Sequence, residues 1–276
     1  MTHTRRALTE LLERHDLGPS RALGQNFVVD PNTVRRIARL AGVGPDTHVV
    51  EIGAGLGSLT LALAETGASV TAVELDRYLV PVLREVVAGL PVLVVEGDAM
   101  RLDWDELLAE HASWTLVANL PYNVATPLVL DLLAGVPAIE RMLVMVQLEA
   151  GERLAAEPGS GIYGIPSVKV ALRADARIVG KVGPDVFLPR PRVDSALVEV
   201  VRRAELATSA DPELLVELLE KGFGQRRKML RRSLAELVPP EAFAVAGIAP
   251  EERPERLSVQ DWGRLTEAVA ALRPPT

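Results

Sequence analysis

The sequence predicts an α/β protein, a mostly parallel sheet with helices on both faces, followed by a small all-helical domain. Apolar runs of strand length alternate with amphipathic stretches, which is the pattern of βαβ units. A glycine-rich turn stands at the first strand-to-helix junction, where a parallel sheet opens its ligand crevice. Beyond a polar segment at 204–212 the β-branched strand patterns stop and helical spacing takes over.

Taken in order, Asp30-Pro31 places a capping side chain before a proline at the first helical position and opens a helix through Ile37 and Leu40. Strand-length runs follow at 48–53, 69–74, 92–96, 115–119 and 141–147, with amphipathic stretches at 58–66, 77–88 and 124–134 between them. Two further β-rich runs, 177–182 and 196–201, extend the sheet as a late hairpin across a proline-rich loop. Ser258-Val259-Gln260-Asp261 has capping-box spacing ahead of Leu265, Val269 and Leu272 at helical intervals. The expected division is a domain at 1–203, its N-terminal segment being 1–30, a linker at 204–212 and a helical domain at 213–276.

Composition narrows the chemistry. The 276 residues are 48% hydrophobic, enough apolar material for a large core and a second small domain. With no cysteine, thiolate metal sites, disulfides and cysteine nucleophiles are excluded. His3, His15, His48 and His111 are scattered without a partner at metal-ligand spacing, so no metal is expected. No apolar run reaches membrane-spanning length and the start is charged, so the expected location is the cytoplasm, without membrane association. A net charge of −7 and a pI near 5.3 argue against nucleic acid unless basic residues are locally concentrated.

The glycine turn reads Glu51-Ile52-Gly53-Ala54-Gly55-Leu56-Gly57. Its G-x-G-x-G spacing lacks the wider interval of pyrophosphate-binding folds, so a cofactor without phosphates fits better. Glu74 closes the second strand, placed to accept from both hydroxyls of a ribose, and Asp98 closes the third, placed to accept from an adenine amine. Gly53 and Gly55, Glu74 with Leu75, and Asp98 with Ala99 are therefore the candidate cofactor residues. They do not separate a nicotinamide cofactor from S-adenosylmethionine.

After the fourth strand comes Asn119-Leu120-Pro121-Tyr122. Proline holds Leu120 extended, so its carbonyl can project into the crevice, and the Asn119 side chain adds a second acceptor. Two acceptors on one amino group point its nitrogen lone pair at an incoming methyl. Tyr122 supplies a face on which a base stacks, once the base has left its own stack.

At these motifs the chain resembles the small-subunit ribosomal RNA adenine dimethyltransferases, a group that includes the eukaryotic Dim proteins. The resemblance covers nearly the whole length. It rests on Leu23-Gly24-Gln25-Asn26-Phe27-Val28, on 51–57 and 119–122, and on two long later stretches. These are Val186-Phe187-Leu188-Pro189-Arg190-Pro191-Arg192-Val193-Asp194-Ser195 and Phe223-Gly224-Gln225-Arg226-Arg227-Lys228-Met229-Leu230-Arg231. It implies a Rossmann-like S-adenosylmethionine-dependent methyltransferase sheet with a small C-terminal helical domain. It further implies transfer of methyl groups to two adjacent adenosines of 16S ribosomal RNA within the immature small subunit, by a monomer.

In the family the N-terminal segment folds over the cofactor, which makes Asn26 and the Val28 backbone contacts beside Gly53, Glu74, Asp98 and Asn119. The resemblance also makes Phe187 a second aromatic against the target base. Departures are mild: Ala54 stands where relatives often have proline, Val28 where leucine is common. Gly159-Ser160-Gly161 lacks a lysine that many relatives carry after the serine, and Gly151 falls inside a predicted helix.

Six basic residues and no acidic one lie between Lys221 and Arg232: Lys221, Arg226, Arg227, Lys228, Arg231 and Arg232. Phe223, Leu230, Leu234 and Leu237 mark the packed side of one helix here, leaving the charge outward to contact RNA phosphates. Arg190 and Arg192 are further phosphate candidates. Three other functions stay open: a nicotinamide-dependent oxidoreductase, a non-catalytic ribosome-assembly factor, and a large-subunit ribosomal RNA methyltransferase of the macrolide-resistance type.

Overall fold

A computed structural model describes residues 2–273. The chain opens with α1 (Arg5–Arg14), capped by the Thr4 hydroxyl, and a short β1 (Phe27–Val28). In α2 (Pro31–Ala41) the Asp30 carboxylate accepts from the N–H groups of Asn32 and Thr33, and Gly42 ends the helix in the left-handed region at φ 65°. There follow β2 (His48–Ile52), α3 (Ser58–Ala64), β3 (Ser69–Glu74), α4 (Val80–Val86), β4 (Val92–Glu96) and α5 (Trp104–Leu108). Next are β5 (Trp114–Asn119), α6 (Ala125–Gly135), β6 (Ile139–Gln147), α7 (Leu148–Leu154) and α8 (Ile165–Arg173). β7 (Ala174–Val182) and β9 (Ser195–Arg202) complete the sheet, while β8 (Phe187–Leu188) between them pairs with β1 as a separate two-stranded ribbon. Beyond β9 come α9 (Pro212–Gly224), α10 (Leu230–Ser233), α11 (Pro240–Ala246) and α12 (Val259–Leu272).

Seven strands form one sheet in the order β4-β3-β2-β5-β6-β9-β7. The five from β4 to β6 are parallel, while β9 runs antiparallel to β6. The two late β-rich runs do lie side by side at one edge. From β2 the chain passes outward to β3 and β4, then returns to β5 on the other side of β2. The strand order thus reverses there and leaves a crevice at the carboxyl ends. The pairings Ile52↔Val73, Ile52↔Ala118 and Glu74↔Glu96 bring the ends of four strands level at that crevice.

The chain divides into two compact units, 1–151 with 177–202, and 152–176 with 203–276. This differs from the expected division at 203. Residues 152–176 group with the helical unit because Tyr163, Val168 and Leu172 share one buried cluster with Leu215, Leu218, Leu234 and Trp262. Nor is 204–212 a free linker. The Ala207 N–H donates to the Leu172 carbonyl, Ala210 is buried, and Asp211 caps α9 with Pro212 as its first residue. In the sheet unit, α2 and α3 pack Val34, Ile37, Leu59 and Leu63 against Val49, Val117 and Leu143, while Leu8, Leu11 and Leu12 of α1 cluster with Phe27, Leu56 and Leu79. Gly151 is explained by a close pass, since a Cβ there would lie 2.8 Å from the Ala196 Cβ.

Candidate functional site

The crevice is a cavity of about 190 Å³, built wholly within the sheet unit. Three strand ends and the N-terminal segment line it: Gly53 and Gly55 after β2, Glu74 and Leu75 at β3, Asp98 and Ala99 after β4, and Asn26. Asn119, Leu120, Pro121 and Tyr122 line it from the end of β5. Gly53 and Gly55 have φ of 73° and 58°, a region L side chains avoid, and a Cβ on Gly55 would lie 3.0 Å from the Phe27 ring. The turn is therefore glycine both for its dihedrals and for the ring packed on it.

Glu74 braces this turn. One carboxylate oxygen accepts from the Gly55 N–H at 2.7 Å and the other from the Asp76 N–H at 2.8 Å. Burial pushes its pKa up, and those two N–H donors oppose the shift. Asp98 is more open, and its Oδ1 accepts from the Met100 N–H at 3.0 Å. Glu51, fully buried behind the turn, has an Oε2 without a hydrogen-bond partner among the described residues. Burial raises its pKa to about 8, with the Thr60 hydroxyl opposing the shift and the Glu74 charge adding to it.

Asn119 is held in one orientation, because its Nδ2 donates to the Asn26 carbonyl at 2.9 Å. Its Oδ1 is the side-chain acceptor left over. The Leu120 N–H donates to the Met145 carbonyl at 3.1 Å, while the Leu120 carbonyl accepts no hydrogen bond within the described residues. Tyr122 is half-buried, its hydroxyl 3.0 Å from Ser195 Oγ. Desolvation raises the Tyr122 pKa, so the hydroxyl stays protonated and able to donate.

Two expected site residues do not reach this cavity. The Phe187 ring is fully buried among Val34, Ile37 and Leu197 and lines no part of the crevice, so the second aromatic wall is a core residue. Val28, expected to contribute its backbone, is not among the residues that line the cavity; it is the register partner of Phe187 in the β1–β8 pair, and its side chain is buried in the same cluster. Both follow from one cause: pairing β1 with β8 turns these two side chains onto α2. Phe27 takes the place at the cavity expected for Val28. Gln25, which no sequence pattern singles out, also lines the cavity, donates to Asp76 and accepts from the Ser20 N–H. Nor does any single out Ser195. Both sit inside the conspicuous motifs at 23–28 and 186–195, but only the folded chain shows what they touch.

Comparison with known proteins fits this geometry. The family described as ribosomal RNA adenine dimethylase matches residues 20–271. The chain belongs to that family. A relative from Bifidobacterium longum strain DJO10A, named ribosomal RNA small subunit methyltransferase A, is 47% identical across 92% of this chain and 89% of its own. A relative of the same name from Streptomyces coelicolor is 47% identical across 94% and 93%. Among solved structures, the 23S ribosomal RNA methyltransferase ErmE superposes with a TM-score of 0.68 at 29% identity, over 88% of this chain and 99% of its own. A dimethyladenosine transferase from Plasmodium falciparum gives 0.73 at 24% identity, over 86% and 94%, and supports the fold.

The basic run of this family member is not one helix. α9 ends at Gly224 and α10 begins at Leu230, so Arg226, Arg227 and Lys228 lie in the turn between them, around a shallow surface pocket. Gly224 and the Gln225 cap break the expected helical face. Lys221 pairs with Glu236, Arg231 with Glu251, and Arg226 with Glu255 while donating to the Gly161 carbonyl. Arg227, Lys228 and Arg232 are exposed and have no such partner among the described residues. In the sheet unit Arg190 pairs with Asp185 on the surface, and Arg192 is exposed. Among the described residues no helix is long and apolar enough to cross a membrane.

Proposed function

We propose that the chain moves methyl groups from S-adenosylmethionine to the N6 amine of two adjacent adenosines in small-subunit ribosomal RNA. It does so as a cytoplasmic monomer acting on the immature subunit. The observation that carries this is the charge of the cavity: Glu74 and Asp98 line it, and among the described residues no lysine, arginine or histidine does. A crevice with two acids and no cation favours a sulfonium and ammonium ligand and disfavours a pyrophosphate. S-adenosylmethionine supplies an activated methyl group and a neutral leaving thioether.

The residues of the chain then have positioning work. Glu74 and Asp98 offer acceptors to the cofactor's hydroxyls and amine, Leu75 and Ala99 offer apolar contact beside them, and Asn26 closes the N-terminal segment over the site. Asn119 Oδ1 and the Leu120 carbonyl accept hydrogen bonds from the two N–H groups of the adenine amine, the one proton displaced by each methyl passes to solvent, and Tyr122 gives a face for the base. The positive charge that develops on nitrogen meets acceptors and a π face. Arg227 and Lys228, with Arg190 and Arg192, serve phosphate contact.

The test is methyl transfer from labelled cofactor to purified immature small subunits, large subunits and naked RNA, followed by nucleoside analysis. Dimethyladenosine in small-subunit RNA is expected; modified adenosine confined to large-subunit RNA overturns the substrate. The likeness to ErmE keeps that second substrate as the reading to beat. Tight NADH binding without S-adenosylmethionine binding would move the chain to the oxidoreductases. Cofactor binding without transfer to any RNA would make it an assembly factor.

A further inference from the structure

We infer that Ser195 is a positioning residue for the methyl acceptor, its hydroxyl fixing the Tyr122 ring as the wall of the crevice. The inference rests on the reading of Tyr122 as the face against the target base. Tyr122 stands on the turn between β5 and α6, where the N–H groups of Val124 and Ala125 donate to the Pro121 carbonyl at 3.2 and 3.1 Å. That turn holds the Tyr122 backbone, but a side chain with two free torsions needs a second anchor to present one face. The anchor is Ser195 Oγ, 3.0 Å from the phenol oxygen and 73 residues away in sequence.

Ser195 is itself immobile. It is fully buried, begins β9, and is the register partner of Gln147 at the end of β6. The carbonyl before it, Asp194, accepts from the Leu148 N–H at 3.0 Å. Tyr122 is the hydroxyl's sole side-chain partner among the described residues, so without it a buried polar group loses its bond. The ring is thus tied to the far side of β6 by a residue that never enters the cavity. The same link couples the ring to the loop at 189–194, which carries Arg190 and Arg192.

A double-mutant cycle on the full chain tests this, with kcat and KM for immature small subunits and cofactor Kd measured for Ser195→Ala, Tyr122→Phe and the double variant. Tyr122→Phe keeps the ring and removes the same bond from the other end. Each single variant is expected to lower kcat about fivefold, the scale of one hydrogen bond, with KM and cofactor Kd within about twofold. The double variant should be no worse than either single one. Losses that multiply to about 25-fold, or a Ser195→Ala enzyme with full turnover, overturn the link. Should Ser195→Ala not fold, Tyr122→Phe still reads the bond, and full turnover there overturns it equally. Tyr122→Ala separates the two ideas: if it retains turnover, the base-wall reading is what fails.

Discussion

The Asn119 side chain donates from Nδ2 to the Asn26 carbonyl, 2.9 Å away across 93 residues of sequence. One hydrogen bond thereby joins the N-terminal segment to the end of β5 and fixes which atom of the amide faces the substrate. Asn119→Ala is expected to abolish methyl transfer while cofactor affinity stays within about tenfold, because the lost group aligns the acceptor more than it holds the cofactor. Single-turnover transfer and calorimetric cofactor binding read the two effects separately. Asn119→Asp tests orientation directly. It sets a carboxylate oxygen against the Asn26 carbonyl, so transfer and the order of residues 20–28, followed by hydrogen exchange, should fall together.

Gly55→Ala tests the glycine turn. At φ 58° a side chain costs about 1–2 kcal/mol of backbone strain, and its Cβ would press on the Phe27 ring at 3.0 Å. Stability should fall by more than that strain, with cofactor Kd rising about tenfold. Gly89→Ala is the control, since it has φ 80° and nothing within 4 Å of its added Cβ. Denaturation of the two variants separates strain from crowding, and an equal loss in both would remove Phe27 from the account.

What could be read from the sequence was what repeats locally. Strand runs, the Asp30 and Ser258 caps and the acids at strand ends depend on neighbours a few residues apart, and each lies where its spacing put it. The Phe187 ring lies away from the cavity because its direction is set by pairing with Val28 across 159 residues, which no local period encodes. The basic run was misread for a related reason: apolar spacing at Phe223, Leu230 and Leu234 continues across a break in the backbone, since both flanking helices pack on one cluster. Gln25 and Ser195 act through single long-range hydrogen bonds, of which composition and periodicity carry no trace.

Glu51 predicts a pH dependence of stability. Its folded pKa of about 8 exceeds the ordinary carboxylate value of 4.5, so between those values the native state binds the extra proton. Its contribution is complete at low pH and is lost as pH rises through about 8. Stability from this group should therefore decline from pH 5 toward pH 8, by at most about 1.4 kcal/mol per pH unit. Glu51→Gln keeps the shape without the charge and should flatten the slope, leaving the variant more stable than the parent at pH 8. Urea denaturation across that range decides it, and parallel slopes in the two proteins would place the titration elsewhere.

The basic turn separates into residues that hold the helical unit together and residues free to meet phosphate. Arg226 faces Glu255 and the Gly161 carbonyl, and Arg231 faces Glu251, so their charges are partly answered within the protein. Among the described residues Arg227 and Lys228 have no such partner, and they stand exposed around the surface pocket. Replacing both with glutamine should weaken binding to small subunits and reduce the slope of log K against log salt by roughly 0.7–0.9 for each phosphate contact removed, with stability unchanged. Arg226→Gln should do the reverse. It should lower the denaturation midpoint, because the loop at 157–164 loses a tether, with a smaller change in salt slope. Should Arg227→Gln/Lys228→Gln bind with the parent's salt dependence, that turn is an ordinary solvated surface and the RNA contacts lie elsewhere.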